Sequence, residues 1–333
     1  MNLKELRKRL YDHAEKSGCE HRTKHILREV LSKHRCALFE GQDGCSLYAY
    51  YDFKKEKTVM IRAEMDGIAV ENQIRHACGH DGHMSMLCGL SERLSELNTF
   101  NVNVLLVFQS SEETGAGALN ILTDPVFLKL CPDEAIGLHC FPMSEKGFYA
   151  RSGVMCTSGK EVRCTFSGES GHCALQLKKT ALRKAVDFLH ELHQKEFDGG
   201  FISMNVIRCG SSCNQTAEKV DIEGTIRALS GCSERGMMDW LKKYDGSFQF
   251  SSGYPVLRNH SSLVKRAVEC GAQILDSPLW ICDDFACYAQ CLPSVYVLMG
   301  MNSEVPLHHV QFEFDDELLE SGVDFLMKML LKS

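Results

Sequence analysis

Apolar residues recur at helical spacing along several stretches of the chain and form short continuous runs between them. Helical spacing predicts helices at 3–34, which Ser17-Gly18 divides in two, and at 83–97 and 116–122. Apolar runs predict strands at 37–39, 46–51, 58–63, 102–108 and 135–138. Strands that alternate with helices in this way are typical of an α/β fold, in which a mostly parallel sheet has helices on both faces.

The pattern changes after Gly153 and returns near Val256. Between these points, strands and helices are predicted in the order strand-helix-strand-strand-helix, at 162–166, 179–195, 201–207, 219–227 and 234–243. This order is that of a small two-layer α+β unit of the ferredoxin-like type. A helix at 261–275, a strand at 294–299 and a helix at 315–330 resume the first pattern. We therefore expect a first domain made of residues 1–153 and 256–333, with a second domain, residues 154–255, inserted into it.

The composition excludes several classes of protein. The net charge is −7, whereas a nucleic-acid-binding protein would present a basic stripe. No apolar run reaches the roughly 18 residues needed to span a bilayer, and the charged start of the chain lacks the apolar stretch of a secretory signal. The 17 cysteines include no CxxC pair, which argues against zinc ribbons and thioredoxin-type sites. We expect a protein of the reducing cytoplasm, with mostly inert thiols and no nucleic-acid or membrane partner.

The segment His76–His83 carries the densest group of chemically active side chains. It reads HACGHDGH, with three histidines, one cysteine and one aspartate. Such polar side chains do not build a core, and a thiol, imidazoles and a carboxylate together suit a borderline-soft divalent metal. The alternative interpretation is a polar helix N-terminus with solvent-exposed histidines.

Three other segments place similar groups at the carboxyl ends of predicted strands. Glu112-Glu113 follows strand 102–108, His139 ends strand 135–138, and His308-His309 follows strand 294–299. Because open α/β sheets bind ligands beyond the carboxyl ends of their strands, we expect these groups to meet the 76–83 segment at one edge. One of the two adjacent glutamates could then bind metal while the other accepts a proton from water. Each feature alone is usually a surface or structural one, and only their coincidence favours a metal site.

These motifs together resemble the M20 metallopeptidase family, and in particular its amidohydrolase branch of hippurate hydrolases, N-acyl-amino-acid amidohydrolases and auxin-conjugate hydrolases. HACGHDGH followed by a Glu-Glu pair and by GLH is highly specific for that branch. The resemblance extends through nearly the whole chain, in the segments RAEMD at 62–66, HACGHDGH at 76–83, FQSSEETG at 108–115, GLHCFP at 137–142, SGHCA at 170–174, GTIR at 224–227 and PLH at 306–308.

The resemblance implies a centre of two divalent ions, for which Zn, Mn, Co and Ni are all suitable. Its ligands would be Cys78, His80, Glu113, His139 and His308. His308 is preferred to the adjacent His309 because it occupies the motif's Leu-His position. Cys78 would act as a metal-bound thiolate. Glu112 would be the general base, and Asp66 would orient the centre.

The resemblance also assigns roles to the inserted domain. This domain would be a lid, from which His172 would stabilise the tetrahedral oxyanion. Asn214 and Arg227 are candidates for holding the carboxylate of the substrate, although a strand hydrogen bond or a surface salt bridge explains them equally well. The edge of the lid often mediates dimer formation in the family, which makes a homodimer through this domain an expectation here.

The implied activity is metal-dependent hydrolysis of the amide bond of an N-acyl amino acid or a related conjugate, a small-molecule substrate. A dipeptidase or carboxypeptidase-type peptidase on the same fold is the nearest alternative. A non-catalytic metal-binding protein and a metal-independent Cys78–His80 thiol hydrolase are the others. Departures from the branch pattern, such as Glu64 for Asp, Ala69 for Pro and the segment after His172, lie around the expected pocket or lid. The chemistry is therefore better specified than the substrate.

Overall fold

The computed structural model describes residues 1–175 and 177–333 of the chain. Its helices are α1 (Leu3–Tyr11), α2 (His21–Leu31), α3 (His80–Ser95), α4 (Gly117–Leu122), α5 (Pro125–Leu130), α6 (Ala181–Gln194), α7 (Gly231–Leu241), α8 (Ser261–Glu269), α9 (Phe285–Cys291) and α10 (Leu318–Leu331). Its strands are β1 (Ala37–Glu40), β2 (Leu47–Tyr51), β3 (Thr58–Glu64), β4 (Ile68–Val70), β5 (Gln73–Arg75), β6 (Asn103–Gln109), β7 (Glu134–Phe141), β8 (Lys146–Ala150), β9 (Gly153–Cys156), β10 (Ser158–Ser167), β11 (Gly171–His172), β12 (Gly200–Cys209), β13 (Gln215–Thr216), β14 (Lys219–Ala228), β15 (Ser247–Phe250), β16 (Leu257–Asn259), β17 (Ala272–Ile274) and β18 (Ser294–Met301).

The chain forms two compact units. The first contains Met1–Met155, Arg258–Pro278 and Asp283–Ser333, and the second contains Cys156–Leu257 and Leu279–Cys282. The first unit is built on an eight-stranded sheet of order β1-β2-β6-β3-β7-β18-β8-β17. Its four central strands, β6, β3, β7 and β18, are parallel to one another, whereas β2 and β8 run antiparallel to their central neighbours. Four carboxyl ends of strands therefore meet at one edge of this sheet.

Helices cover both faces of the central strands. Val59, Ile61 and Ala63 of β3 belong to the large apolar cluster that includes residues of α1, α3 and α10. The side chain of Arg62 lies on the other face of the strand, because successive side chains alternate, and it contacts Asp284 and the ring of Phe285 at the start of α9. Every residue of β3, β6 and β18 is buried, as expected for strands covered on both faces. The predicted α/β class is confirmed.

The second unit is a four-stranded antiparallel sheet of order β12-β14-β10-β15 with two helices packed on it. Phe188 of α6 and Met237 of α7 are fully buried against Val162 and Cys164 of β10 and Ile222 of β14. Its order along the chain, β10-α6-β12-β14-α7-β15, completes the ferredoxin-like pattern with a last strand that the sequence analysis missed.

Two local predictions were wrong. The predicted helix 261–275 ends at Glu269, because Gly271 has a φ of +109° and the chain then forms β17 beside β8. Strand β7 continues past residue 138 to Phe141, so His139 lies inside the strand and not after it.

Within the described residues, no helix is long and apolar enough to cross a membrane. All cysteines are free thiols, and seven of them are exposed: Cys19, Cys131, Cys173, Cys209, Cys213, Cys232 and Cys291.

Candidate metal centre

The five predicted ligands come together at the carboxyl edge of the central strands. Cys78 precedes α3 and His80 is its first residue. Glu113 lies four residues beyond β6, His139 lies in β7, and His308 lies in the loop after β18. These segments are far apart in sequence but adjacent in space, because β3, β6, β7 and β18 are parallel neighbours.

The distances link all five side chains. One ligand atom from each of Cys78, His80 and Glu113 lies within 4.8 Å of the other two. Cys78 Sγ is 3.6 Å from His139 Nε2, and Glu113 Oε1 is 3.6 Å from His308 Nε2. His308 and His309 are both exposed, but His309 Nδ1 accepts a hydrogen bond from the backbone N–H of Gln311. The geometry therefore brings His308 beside Glu113.

Hydrogen bonds orient two of the imidazoles so that one nitrogen of each faces the cluster. His80 Nδ1 lies 2.9 Å from the carbonyl oxygen of Asp66, and His139 Nδ1 lies 2.6 Å from the carbonyl oxygen of Cys140. Because a carbonyl oxygen can only accept, both Nδ1 atoms carry the proton and both Nε2 atoms can present a lone pair. His80 Nε2 and Glu113 Oε1 are buried, and neither has a hydrogen-bond partner among the described residues. Buried polar atoms without a hydrogen-bond partner are the ones that a bound cation would satisfy, so this donor set fits a divalent metal.

Asp66 connects the segments that form the centre. Its Oδ2 accepts hydrogen bonds from Ser17 Oγ at 2.6 Å and from the backbone N–H of Glu113 at 3.0 Å. Its Oδ1 lies 3.5 Å from His80 Nδ1, and its carbonyl oxygen also accepts from His76 Nδ1 at 3.1 Å. Asp66 thus fixes the orientation of His80 and the backbone position of Glu113 through different atoms.

The cluster carries an excess of negative charge. Burial opposes protonation of His80, but the hydrogen bond to Asp66 and the charge of Glu64 raise its pKa to about 10. Burial, Asp283 and Glu113 raise the pKa of Glu112 well above its usual value. Carboxylates that are buried together disfavour one another's ionisation, and a bound cation relieves this repulsion.

The thiol of Cys78 lacks the environment of a nucleophile. Burial raises its pKa well above the ordinary value, and the charges of Glu113 and Glu112 act in the same direction. A catalytic thiolate needs a lowered pKa, and although Cys78 precedes the start of α3, burial and the two carboxylates have the opposite effect on its pKa. A metal ion would instead deprotonate the thiol on binding. The metal-independent thiol hydrolase is therefore disfavoured.

A buried ionic network next to Glu112 was missed by the sequence analysis. The Arg62 guanidinium donates to Asp283 Oδ1 at 3.1 Å and to Asp284 Oδ1 at 2.5 Å, and it also pairs with Glu64. Carboxylate oxygens of Glu112, Asp283 and Asp284 lie within 4.8 Å of one another. The adjacent Asp283-Asp284 directly before the apolar Phe285 was the available signal, because Asp is almost never fully buried unless it is paired.

Glu64 and His83 form a second layer beneath the predicted ligands. The backbone N–H of Cys140 donates to His83 Nε2 at 2.9 Å, so His83 Nδ1 carries the proton and donates to Glu64 Oε2 at 2.8 Å. Both ring nitrogens of His83 are thereby occupied. Glu64, which stands where the branch pattern has Asp, pairs with both His83 and Arg62.

Gly79, between Cys78 and His80, permits the close approach of the α3 start to β7. Its φ is +81°, and a Cβ there would overlap Cys140 Sγ. We expect Gly79→Ala to lower the free energy of unfolding of the metal-free protein by about 2–5 kcal/mol, from roughly 1–2 for the left-handed conformation and roughly 1–3 for the overlap. Urea unfolding would measure this change.

Gly44 supplies the matched control for this prediction. It has a φ of +77° but nothing within 4 Å of a Cβ position. Gly44→Ala should therefore show only the conformational cost of about 1–2 kcal/mol. Equal losses in the two variants would contradict the close-approach argument.

Three predicted site residues lie in the second unit. His172 Nε2 is 3.3 Å from Asn214 Nδ2, and His172 Nδ1 accepts a hydrogen bond from the backbone N–H of Ala174. Arg227 donates to Cys282 Sγ within the same unit. The oxyanion role of His172 and the substrate roles of Asn214 and Arg227 remain predictions.

The chain resembles known proteins along its whole length. A sequence profile of the peptidase family M20/M25/M40 matches residues 60–332. An N-acetyldiaminopimelate deacetylase from Lactococcus lactis subsp. cremoris is 29% identical, with 99% of this chain and 98% of the relative covered. One from Exiguobacterium sibiricum is 28% identical, with 81% of this chain and 82% of the relative covered.

Solved structures share the fold. A Bacillus subtilis protein described as a dinuclear metal binding peptidase from the M20 family superimposes with a TM-score of 0.80 at 21% identity, with 99% of this chain and 96% of that chain covered. A tripeptidase from Staphylococcus aureus superimposes with a TM-score of 0.77 at 13% identity, with 99% and 97% covered. The profile match spans most of the chain, and the chain therefore belongs to the peptidase family M20/M25/M40 and is an enzyme that hydrolyses amide bonds.

Proposed function

We propose that this enzyme is a metal-dependent amidohydrolase that cleaves N-acyl amino acids into a carboxylate and a free amino acid. The observation that carries the proposal is the meeting of Cys78, His80 and Glu113 within 4.8 Å, where His80 Nε2 and Glu113 Oε1 are buried without a hydrogen-bond partner among the described residues. The names of the deacetylase relatives support the substrate class, since N-acetyldiaminopimelate is an N-acyl amino acid.

The proposed ligands of two divalent ions are the five side chains described above: Cys78, His80, Glu113, His139 and His308. A thiol, imidazoles and a carboxylate form a mixed set that accepts Zn, Mn, Co or Ni. The description of the Bacillus subtilis neighbour as dinuclear supports the number of ions. When bound, such ions polarise a substrate carbonyl and acidify a water molecule.

The proposed base is Glu112, which lies next to the ligand Glu113 and is buried. Its carboxylate removes a proton from the attacking water, whose oxygen forms a bond to the carbonyl carbon. When the C–N bond breaks, the same carboxyl group transfers the proton to the leaving nitrogen, so that the amine departs neutral. Burial and the surrounding carboxylates raise the pKa of Glu112, which makes it a better proton acceptor than an ordinary glutamate. Asp66 keeps His80 and the Glu113 backbone in place throughout.

A peptidase on the same fold is the second candidate. The Staphylococcus aureus neighbour is a tripeptidase, and its fold is shared by this chain. Amide hydrolysis at the centre would be the same in both cases, so the proposed ligands and base do not separate the two activities.

The first test combines activity with metal content. The metal-free protein, prepared with a chelator, is expected to hydrolyse no substrate, and addition of Zn²⁺ or Mn²⁺ should restore activity as the metal content approaches two ions per chain. Elemental analysis and an assay of released amino acid would follow both quantities. Activity that survives complete metal removal would contradict the proposal.

The substrate class is tested by comparison. N-acetyl and longer N-acyl amino acids should be cleaved with a higher kcat/KM than dipeptides and tripeptides of the same amino acids. The reverse order would favour the peptidase. Cleavage of neither class by the metal-loaded enzyme would overturn the proposed substrate.

A further inference from the structure

The segment that joins α1 to α2 contacts residues of the proposed metal centre, although it belongs to none of the sequence motifs. This segment, residues 12–20, is called the α1–α2 connector. The carbonyl oxygen of Glu15 accepts a hydrogen bond from the backbone N–H of Gly67 at 2.7 Å, and Ser17 Oγ donates to Asp66 Oδ2 at 2.6 Å. Glu20, at its end, contacts the turn that follows β6. The connector therefore touches both segments that carry acidic groups into the centre.

The side chain of Glu20 is unusually placed for a carboxylate. It is 0% exposed, and its Oε1 accepts a hydrogen bond from the backbone N–H of Ser111 at 2.8 Å. Its Oε2 is buried and has no hydrogen-bond partner in the described part of the chain. Burying a carboxylate with an unsatisfied oxygen lowers stability. The residue therefore has a poor rationale as a stabilising group, and its contact with Ser111 is the feature to explain.

Ser111 has a backbone conformation that serine rarely adopts. Its φ is +60°, in the left-handed region. Its carbonyl oxygen accepts hydrogen bonds from the backbone N–H of Gly117 at 3.0 Å and from Thr114 Oγ1 at 3.2 Å. The next two residues are Glu112 and Glu113. The dihedral angles of Ser111 therefore set the direction that the chain takes after β6, and with it the positions of both carboxylates.

We propose that Glu20 is a positioning residue, which holds Ser111 in the left-handed conformation and thereby directs Glu112 and Glu113 into the centre. The inference rests on the proposed function only in naming Glu112 the base and Glu113 a ligand. Without an acceptor at residue 20, the buried Ser111 N–H has no hydrogen bond and the left-handed φ of Ser111 is still unfavourable. Rotation of Ser111 to an ordinary φ removes both of these costs. That rotation turns the two glutamates away. Ser17 acts in parallel, because Asp66 Oδ2 accepts from both Ser17 and the Glu113 backbone.

The test uses Glu20→Met, which removes the acceptor and keeps the volume, and Glu20→Gln, which keeps an acceptor oxygen. In the methionine variant we expect kcat to fall roughly 100-fold with little change in KM, because a misplacement of about 1 Å at the reacting groups has an effect of this size. Affinity of the metal-free protein for Zn²⁺ alone, measured by calorimetry, should fall about 10–100-fold. The glutamine variant should retain both properties.

Hydrogen exchange at the Ser111 amide gives a readout that does not depend on activity. The amide should exchange slowly in the wild type and in Glu20→Gln, and quickly in Glu20→Met. Glu15→Ala is the matched control, because the Glu15 carboxylate accepts from the Thr23 backbone N–H at 2.8 Å and from Thr23 Oγ1 at 3.0 Å, whereas the Ser111 N–H donates to Glu20. It should lower stability and leave Ser111 exchange and Zn²⁺ affinity as in the wild type.

Several results would overturn the proposal. Unchanged Ser111 exchange in Glu20→Met would do so, as would equal losses of Zn²⁺ affinity in Glu20→Met and Glu15→Ala. Should Glu20→Met not fold, Glu20→Leu makes the same removal with a different shape. If the wild type cleaves no N-acyl amino acid, the proposed function fails, whereas exchange and Zn²⁺ affinity still decide the role of Glu20.

Discussion

Replacement of Glu112 by glutamine is expected to lower kcat for N-acyl amino acid hydrolysis by about 10²–10⁴-fold while the protein retains its metal ions. Glutamine has the shape of glutamate and fits the same buried position, but its amide cannot accept a proton from water or transfer one to the leaving nitrogen. KM should change little, because substrate binding does not require proton transfer. Steady-state kinetics and elemental analysis of the same preparation would measure these quantities.

Glu113→Gln is the natural control, since it changes the adjacent residue in the same way. Glu113 Oε1 lies 3.6 Å from His308 Nε2 and 4.0 Å from His80 Nε2, so this variant should lose metal as well as activity. The two neighbouring substitutions are thus expected to separate proton transfer from metal binding. Near-normal turnover by a metal-loaded Glu112→Gln enzyme would refute the assignment of the base.

Replacement of Arg62 by methionine is expected to lower the free energy of unfolding by about 3–5 kcal/mol. The side chain of Arg62 is fully buried and pairs with Glu64, Asp283 and Asp284, so its removal leaves three buried carboxylates without their counter-charge. Burial alone would lower the pKa of Arg62, but these carboxylates hold it well above its ordinary value, and the guanidinium stays charged. Urea unfolding of the metal-free protein would measure the loss.

Arg266→Met provides a comparison at a less critical ion pair. Arg266 pairs with Glu134, but Lys57 Nζ also lies 2.8 Å from Glu134 Oε2 and would continue to compensate its charge. The expected loss is about 1 kcal/mol or less. If Arg62→Met were no more destabilising than Arg266→Met, the carboxylates around Arg62 would have to be largely protonated in the folded protein. Burial already raises the pKa of one of them, Asp284, to about 7.

The sequence was sufficient to predict the α/β class because each strand and helix is marked by a pattern within its own few residues. Continuous apolar runs marked β3, β6 and β7 as buried strands, and parallel strands place their carboxyl ends at one edge. That rule, together with the motifs, was enough to expect Cys78, His80, Glu113, His139 and His308 to meet. The choice of His308 over His309 rested on one motif position; His308 Nε2 lies 3.6 Å from Glu113 Oε1, and the choice stays a prediction.

The supporting residues could not be predicted in the same way, because their significance is set by long-range packing. Glu20 is an ordinary acidic residue near a helix start, and nothing in its neighbours reveals that Ser111, 91 positions away, donates a hydrogen bond to it. Asp283 and Asp284 are 221 and 222 residues from Arg62. The end of helix α8 was missed for a different reason: apolar residues after Gly271 continue the helical spacing while belonging to a strand.

The seven exposed thiols affect how the enzyme behaves outside a reducing solution. Each is accessible to a thiol on another molecule, so air oxidation should produce covalently linked aggregates. A vicinal dithiol added to prevent this would itself chelate the ions that Cys78 is proposed to bind. Activity would then be lost during storage by oxidation when no reductant is present and by removal of the metal ions when a dithiol is present. A reductant without sulfur should avoid both losses.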